Sequence, residues 1–285
     1  MNEDFFSRQT PYSDPGDFGT SGLPRAPRRL AALVRGLIIH RCEGGRFGYE
    51  VPGERLHHDA ESRYVTEILR ILRERGSTPL TEHRAPGARF VGTCRDFSLL
   101  LCSLLRATGT PARLRCGFAT YLADGWYEDH WVTEYRAPDG GLRLADPQVH
   151  SGYDVPFDPM DVPRDAFLTA GDVWRACREG RVDPQTCGFS SVEGLRGLWF
   201  VRGNVLRDLA ALNGVELLPW DGWEPGLRKG APLTEDDLAA ADEVAAARSE
   251  SDWPLLFADP RLTVPEVITS YAPYPGERRV TLPVR

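Results

Sequence analysis

Apolar positions in this chain fall first at helical spacing, then at alternate residues, then at helical spacing again. That order predicts an α+β protein. Leu30, Leu33, Val34, Leu37 and Ile38 form the first stripe, a helix that starts near Arg28 and ends before Gly44-Gly45. His40 falls in its last turn, where a cation suits the helix dipole. Tyr64, Ile68, Ile71 and Leu72 predict a second helix from Asp59 to Arg75, stopped by Gly76. Phe97, Leu100, Leu101, Leu104 and Leu105 predict a third, opened by Thr93 as N-cap and closed by Gly109-Thr110-Pro111. The period then becomes two. Ala112, Leu114, Cys116 and Phe118 alternate with Arg113 and Arg115, a strand with one buried face. A loop over 122–128 leads to a second strand over 129–135. The turn Pro138-Asp139-Gly140-Gly141 then gives a third strand over 142–145.

From about Pro156 helical spacing returns, over 165–178, 192–212 and 235–249, the last opened by Thr234 and Asp237 as a capping box. Trp220 and Trp223 stand among turn residues between the last two, and the tail from Asp252 is expected to wrap the surface. Residues 1–27 carry Pro11, Pro15, Pro24 and Pro27 among Gly, Ser and Asp. They read as an extended or disordered leader whose aromatics Phe5, Phe6, Tyr12 and Phe18 can dock on the body. The expected organisation is therefore a leader over 1–27, a core over 28–155 and a mainly helical extension over 156–285.

Composition narrows the function classes. A formal net charge of −7 argues against a nucleic-acid partner. No apolar run reaches membrane-spanning length and the N-terminus lacks the apolar core of a signal peptide, so the expected location is the cytoplasm, with no membrane partner. The 6 cysteines, at positions 42, 94, 102, 116, 177 and 187, show no zinc spacing; no metal or organic cofactor is expected, and most should be reduced core residues. Of the 34 Lys and Arg residues only Lys229 is a lysine, which fits codon bias in a GC-rich gene.

One cysteine has a special address. Cys94 is the first residue of the third helix, where unpaired backbone N–H groups and the positive end of the dipole favour thiolate over thiol. A thiolate nucleophile needs a base, and the base needs a third group to fix its tautomer. His130 on the second strand and Asp146 just after the third supply both types. Pairing of those strands makes their approach geometrically cheap, and a helix packed on that sheet with its N-terminus at the same end would add Cys94. Asp129 competes for His130 but points to the opposite strand face; Asp96 reads as a dipole partner in the first helical turn. Trp126, Tyr127 and Gln148 are candidate substrate-binding residues, and His57, His58, His83 and His150 default to the surface.

The segments GTCRDFSLLLCSLLRATGTPARLRCGF, DHWVTEY and LRLADPQ resemble the core of the transglutaminase-like superfamily, over about residues 90 to 150. The resemblance implies a papain-like α+β fold with a nucleophile helix packed on an antiparallel sheet. It also implies Cys94 as nucleophile, His130 as general base and acid, and Asp146 as orienting carboxylate. RGNVLRDLAALNGVELLPWDGW is similar to the C-terminal part of a bacterial branch of that superfamily. Many members place one residue between the histidine and the following tryptophan; here Trp131 follows His130 directly and falls on the other strand face. The implied activity is acyl transfer through an acyl-thioester on an amide, ester or thioester. Water as acceptor makes the protein an amidase or peptidase, and an amine makes it an acyltransferase. The partners are an acyl donor, small, peptidic or carrier-bound, and in the second case an amine. The reading from another class is a non-enzymatic peptide- or protein-binding module that retains the fold.

Overall fold

The computed structural model describes residues 3–20, 22–76, 79–223, 232–247, 249–273 and 276–283; Lys229 and the end of the turn-residue stretch that follows Trp223 lie outside them. In chain order the helices are α1 (Glu3–Phe6), α2 (Pro27–Leu37), α3 (Gly53–His58), α4 (Val65–Glu74), α5 (Cys94–Ala107), α6 (Ala170–Arg178), α7 (Leu198–Leu212), α8 (Glu235–Ala246) and α9 (Asp252–Phe257). The strands are β1 (Ile38–His40), β2 (Phe90–Gly92), β3 (Ala112–Ala119), β4 (Tyr127–Arg136), β5 (Leu142–Ala145), β6 (Phe167–Thr169), β7 (Cys187–Gly188), β8 (Asp221–Gly222), β9 (Val267–Ala272) and β10 (Gly276–Thr281). The main sheet runs β5-β4-β3-β6 with β7 alongside β4; β1 and β2 form a parallel pair, and β10-β9-β8 a small antiparallel sheet. The α+β arrangement of helices and a largely antiparallel sheet is the expected one. The chain divides into two units, Met1–Leu114 with Val132–Val162, and Arg115–Trp131 with Pro163–Arg285.

The first unit is built around α5. Its apolar stripe packs against α2, α4, β1 and β2. Contrary to the amphipathic pattern, the polar side is covered too: every residue from Cys94 to Arg106 is buried. The N-terminal segment supplies much of that cover. Gln9 Nε2 donates to the Ser103 carbonyl at 2.9 Å, and Arg106 Nη1 donates to Ser13 Oγ at 2.8 Å. Phe6 and Tyr12 are buried, Tyr12 stacks on Tyr64 at 5.5 Å, and the Val65 N–H bonds the Tyr12 carbonyl. Proline keeps this stretch from forming long helices, and its aromatics hold it in place. The helix ends as expected. Gly109 takes φ +88°, its N–H bonds the Arg106 carbonyl, and the Thr110 N–H bonds that of Leu105, a Schellman motif.

Two other elements of this unit depart from the periodicity. The stretch from Asp59 begins as a 3-10 turn (Asp59–Glu61), and α4 starts only at Val65. Asp59 is fully buried, takes both guanidinium nitrogens of Arg75 at 2.5 and 2.6 Å, and accepts the Val91 N–H at 2.9 Å, so it pins β2. His40 lies on β1 rather than in a helical turn, because β1 pairs with β2, Ile38 opposite Phe90.

The second unit repeats the logic around α7, buried from Phe200 to Leu212. Phe118, Val173, Trp174, Val201, Val205 and Ala241 form its apolar core. The polar residues of α7 are each partnered: Arg202 pairs with Asp237 at 2.7 Å, and Asp208 receives Arg115 through two nitrogens at 3.0 and 2.7 Å and the Cys116 N–H at 2.8 Å. The helix starts at Leu198, not Val192, because 188–196 folds back on itself, with Phe189 N–H bonded to the Leu195 carbonyl. The C-terminal stretch forms α9 and the β9–β10 hairpin. No helix among the described residues is long and apolar enough to cross a membrane.

Asp208 is the sharpest test of this packing. Asp208→Ala strands a buried guanidinium and a strand N–H, and urea unfolding should show a loss of about 3–5 kcal/mol. Asp208→Asn, which keeps an acceptor, should lose less.

Candidate active site

Cys94 owes its position to the two residues before it. β2 delivers Gly92, Thr93 stays extended with φ −113° and ψ 172°, and the helix starts at the cysteine. The Asp96 carboxylate reaches back to the Thr93 N–H at 2.8 Å and receives the Thr93 hydroxyl at 3.1 Å. Arg95, fully buried, donates to Asp96 at 2.9 Å and to the Arg63 carbonyl at 2.6 Å. Burial pushes the Asp96 carboxyl up, against the pull of Arg95 and Thr93. A Cβ on Gly92 would come within 3.0 Å of the Asp96 Cβ and Oδ2, so the absence of a side chain there leaves room for the cap. Asp96 thus fixes the helix start, and Cys94 is 7% exposed at its first position.

Asp146 belongs to the same unit. It follows β5, which pairs with β4 so that Ala145 faces Thr133. Its N–H bonds the Pro159 carbonyl at 2.8 Å, and its Oδ1 accepts the Gln148 N–H at 3.0 Å, an Asx turn that sets the carboxyl. Gln148 is buried. Its Nε2 reaches the Tyr153 hydroxyl at 3.4 Å, and that hydroxyl donates to Glu43 at 3.0 Å. Glu43 in turn pairs with Arg35 at 2.6 Å. Burial and the Glu43 charge push the Tyr153 phenol up to about 12, which keeps it a donor. The turn carrying Asp146 is therefore braced by a buried ion pair.

His130 lies on β4 in the second unit, 1% exposed, with the Tyr121 ring edge-on at 6.0 Å and 86°. Both flanking carboxylates are engaged elsewhere. Glu128 accepts the Ser190 N–H at 3.0 Å, and Asp129 accepts Asn204 Nδ2 at 2.8 Å. Arg207 donates to Asn204 Oδ1 at 3.0 Å, so Asp129 is tied into α7. Burial raises both carboxyls, most directly offset by the Ser190 and Asn204 bonds. Three residues beyond His130, Thr133 bonds the Ser98 carbonyl of α5 at 2.9 Å.

Tyr127 opens β4 rather than closing a loop, and its ring packs against the core of the second unit; an odd step along the strand sets it on the face opposite His130. Trp126 precedes it, with Arg196 over its ring at 5.6 Å. His150 is partly buried, and burial lowers its pKa. Asn204, Arg207 and Asp208 were missed as supports. Their signal was present, three polar residues at i, i+3 and i+4 on an otherwise apolar helix. No three His, Cys, Asp or Glu side chains among the described residues are grouped so as to hold a metal ion.

Residues 60–147 match the family model of the Transglutaminase-like superfamily, and Cys94, His130 and Asp146 all fall inside that segment. No curated protein matches the chain. Among solved structures there is a match to a proposed cysteine protease from Cytophaga hutchinsonii, at 18% identity and a TM-score of 0.26, covering 59% of this chain and 45% of that one. The chain thus spans less than half the length of that protein.

The Asp129 carboxyl should leave a mark on the pH dependence of stability. Its folded pKa is raised, so the folded state holds that proton more tightly than the unfolded chain. Its contribution to stability is then lost as pH rises from about 4 through the folded pKa. In Asp129→Asn the titration is gone while an acceptor for Asn204 remains. Urea unfolding at about pH 4.5 and about pH 7.5 should show the variant gaining on the wild type as pH rises. A constant or shrinking difference would contradict this.

Proposed function

We propose that the chain is a cysteine-dependent acyl-transfer enzyme in which Cys94 attacks, His130 moves the proton and Asp146 orients His130. The observation that carries this reading is the address of Cys94: first residue of a capped, buried helix inside the segment that matches the superfamily. His130 and Asp146 follow in the same segment, and the environments of Asp96 and Asp129 support Asp146 as the partner carboxylate, since both of the others have structural duties.

In the proposed first half-reaction the Cys94 thiolate adds to the carbonyl carbon of an amide, ester or thioester. Backbone N–H groups at the start of α5 suit the oxyanion that forms. His130, protonated, gives its proton to the departing amine, alkoxide or thiolate, which leaves a thioester on Cys94. In the second half-reaction His130 takes a proton from water or an amine as it attacks, and the Cys94 thiolate departs. Asp146 holds the imidazole in one tautomer and stabilises its charged form. On this reading residues 28–155 are the catalytic core, 156–285 an extension, and the cytoplasm the place where a reduced nucleophile persists.

Incubation with a mixed pool of amide, ester and thioester donors, followed by intact mass measurement, tests the reading. Wild type should gain an acyl mass that hydroxylamine removes and that maps to Cys94. Cys94→Ala should gain none, and His130→Ala should form the adduct about 10²–10⁴-fold more slowly. Equal labelling of Cys94→Ala would overturn the nucleophile assignment. A wild type that binds donors without ever forming the adduct would favour the binding-module alternative.

A further inference from the structure

A second cysteine feature lies apart from Cys94. Cys177, in the last turn of α6, and Cys187, the first residue of β7, bring their Sγ atoms to 4.0 Å. Backbone hydrogen bonds hold both in place. The Gly180 N–H bonds the Cys177 carbonyl, the Arg181 N–H bonds that of Ala176, and the Thr186 N–H bonds that of Asp183. Cys187 pairs with Tyr127 in the parallel β4–β7 ladder, and a Cβ on the next residue, Gly188, would lie 2.1 Å from the Leu195 carbonyl oxygen, so β7 is confined from both sides. The two sulfurs differ in access: Cys187 is fully buried within the apolar core of the unit, and Cys177 is partly exposed at its margin.

We propose that Cys177 and Cys187 form a redox-active dithiol that closes to a disulfide when the protein meets a small disulfide oxidant of the glutathione class. The sulfurs need to approach by about 2 Å to reach bonding distance. Cys177, the accessible partner, attacks as thiolate; the Cys187 thiol donates toward it and so lowers its pKa. The attack forms a mixed disulfide and releases one glutathione thiolate, which takes up a proton. Cys187 then loses its proton, attacks Cys177 Sγ and releases the second glutathione. Two electrons pass from the protein pair to the oxidant, which is reduced to two thiols. The bond fastens α6 to β7, and through the β7 ladder to the Tyr127 end of β4.

The test uses the full-length protein equilibrated with oxidised glutathione, alkylated, and digested with trypsin without reduction. Cleavage after Arg175, Arg178, Arg181 and Arg196 separates the two cysteines, so a disulfide joins peptide 176–178 to peptide 182–196. Most of the Cys187 peptide should shift to that cross-linked mass. Dithiothreitol should restore it, and Cys177→Ser, at the more exposed position, should fold and lack it. Cys187→Ser should lack it as well and accumulate glutathione on Cys177. Full alkylation of both residues after oxidation, or a wild type that stops at the mixed disulfide on Cys177, would overturn the proposal.

Discussion

A helix covered on every side cannot send its polar groups to water, and in this protein α5 is such a helix. Arg95, Asp96, Ser98, Ser103 and Arg106 are all buried along it. An unpartnered polar group in that setting costs about 1–3 kcal/mol, more if charged, so the charged Arg95, Asp96 and Arg106 above all need partners from the surrounding chain. The demand organises the first unit. Asp96 turns back to cap the helix and receive Arg95, Thr133 brings β4 against the Ser98 carbonyl, and Ser13 and Gln9 draw the N-terminal segment onto the final turns. The thiol at the helix start sits between Thr93 and Asp96, the two residues that close the cap. Its position follows from the work done by its neighbours.

The second unit meets the same constraint with α7. Asn204, Arg207 and Asp208 lie on a buried helix, and their bonds run to Asp129, Arg115 and the Cys116 N–H. Tying up Asp129 leaves His130 flanked by carboxylates that have other tasks.

Much of this was legible where the determining interactions are local. The α5 boundaries follow from Thr93 and Gly109, and β5 from the turn at 138–141, because caps and hairpin turns are set by residues within a few positions. His130 on a strand and Asp146 just beyond the next one were readable for the same reason. The failures share another cause. β1 pairs with β2 across about fifty residues, Asp59 serves β2 from the far side of α4, and β9–β10 closes on β8. None of these partners is visible in a local window, so a helical pattern was extended over His40 and Asp59, and a hairpin in the tail went unseen. The N-terminal segment illustrates both sides. Its prolines announce irregular backbone, whereas its docking depends on Ser103 and Arg106, which lie roughly ninety positions away.

That separation carries a consequence for how the molecule is made. During synthesis Gln9 and Ser13 emerge long before the residues they bind, 94 and 93 positions later. At about 5–20 residues per second the interval is roughly 5 to 20 s. Within it Tyr64 and Val65 become available to Tyr12, while Gln9 and Ser13 still await their partners on α5. The bonds of Gln9 and Ser13 can close only once the later turns of α5 exist, whereas the Tyr12 bond to Val65 can form before α5 is made.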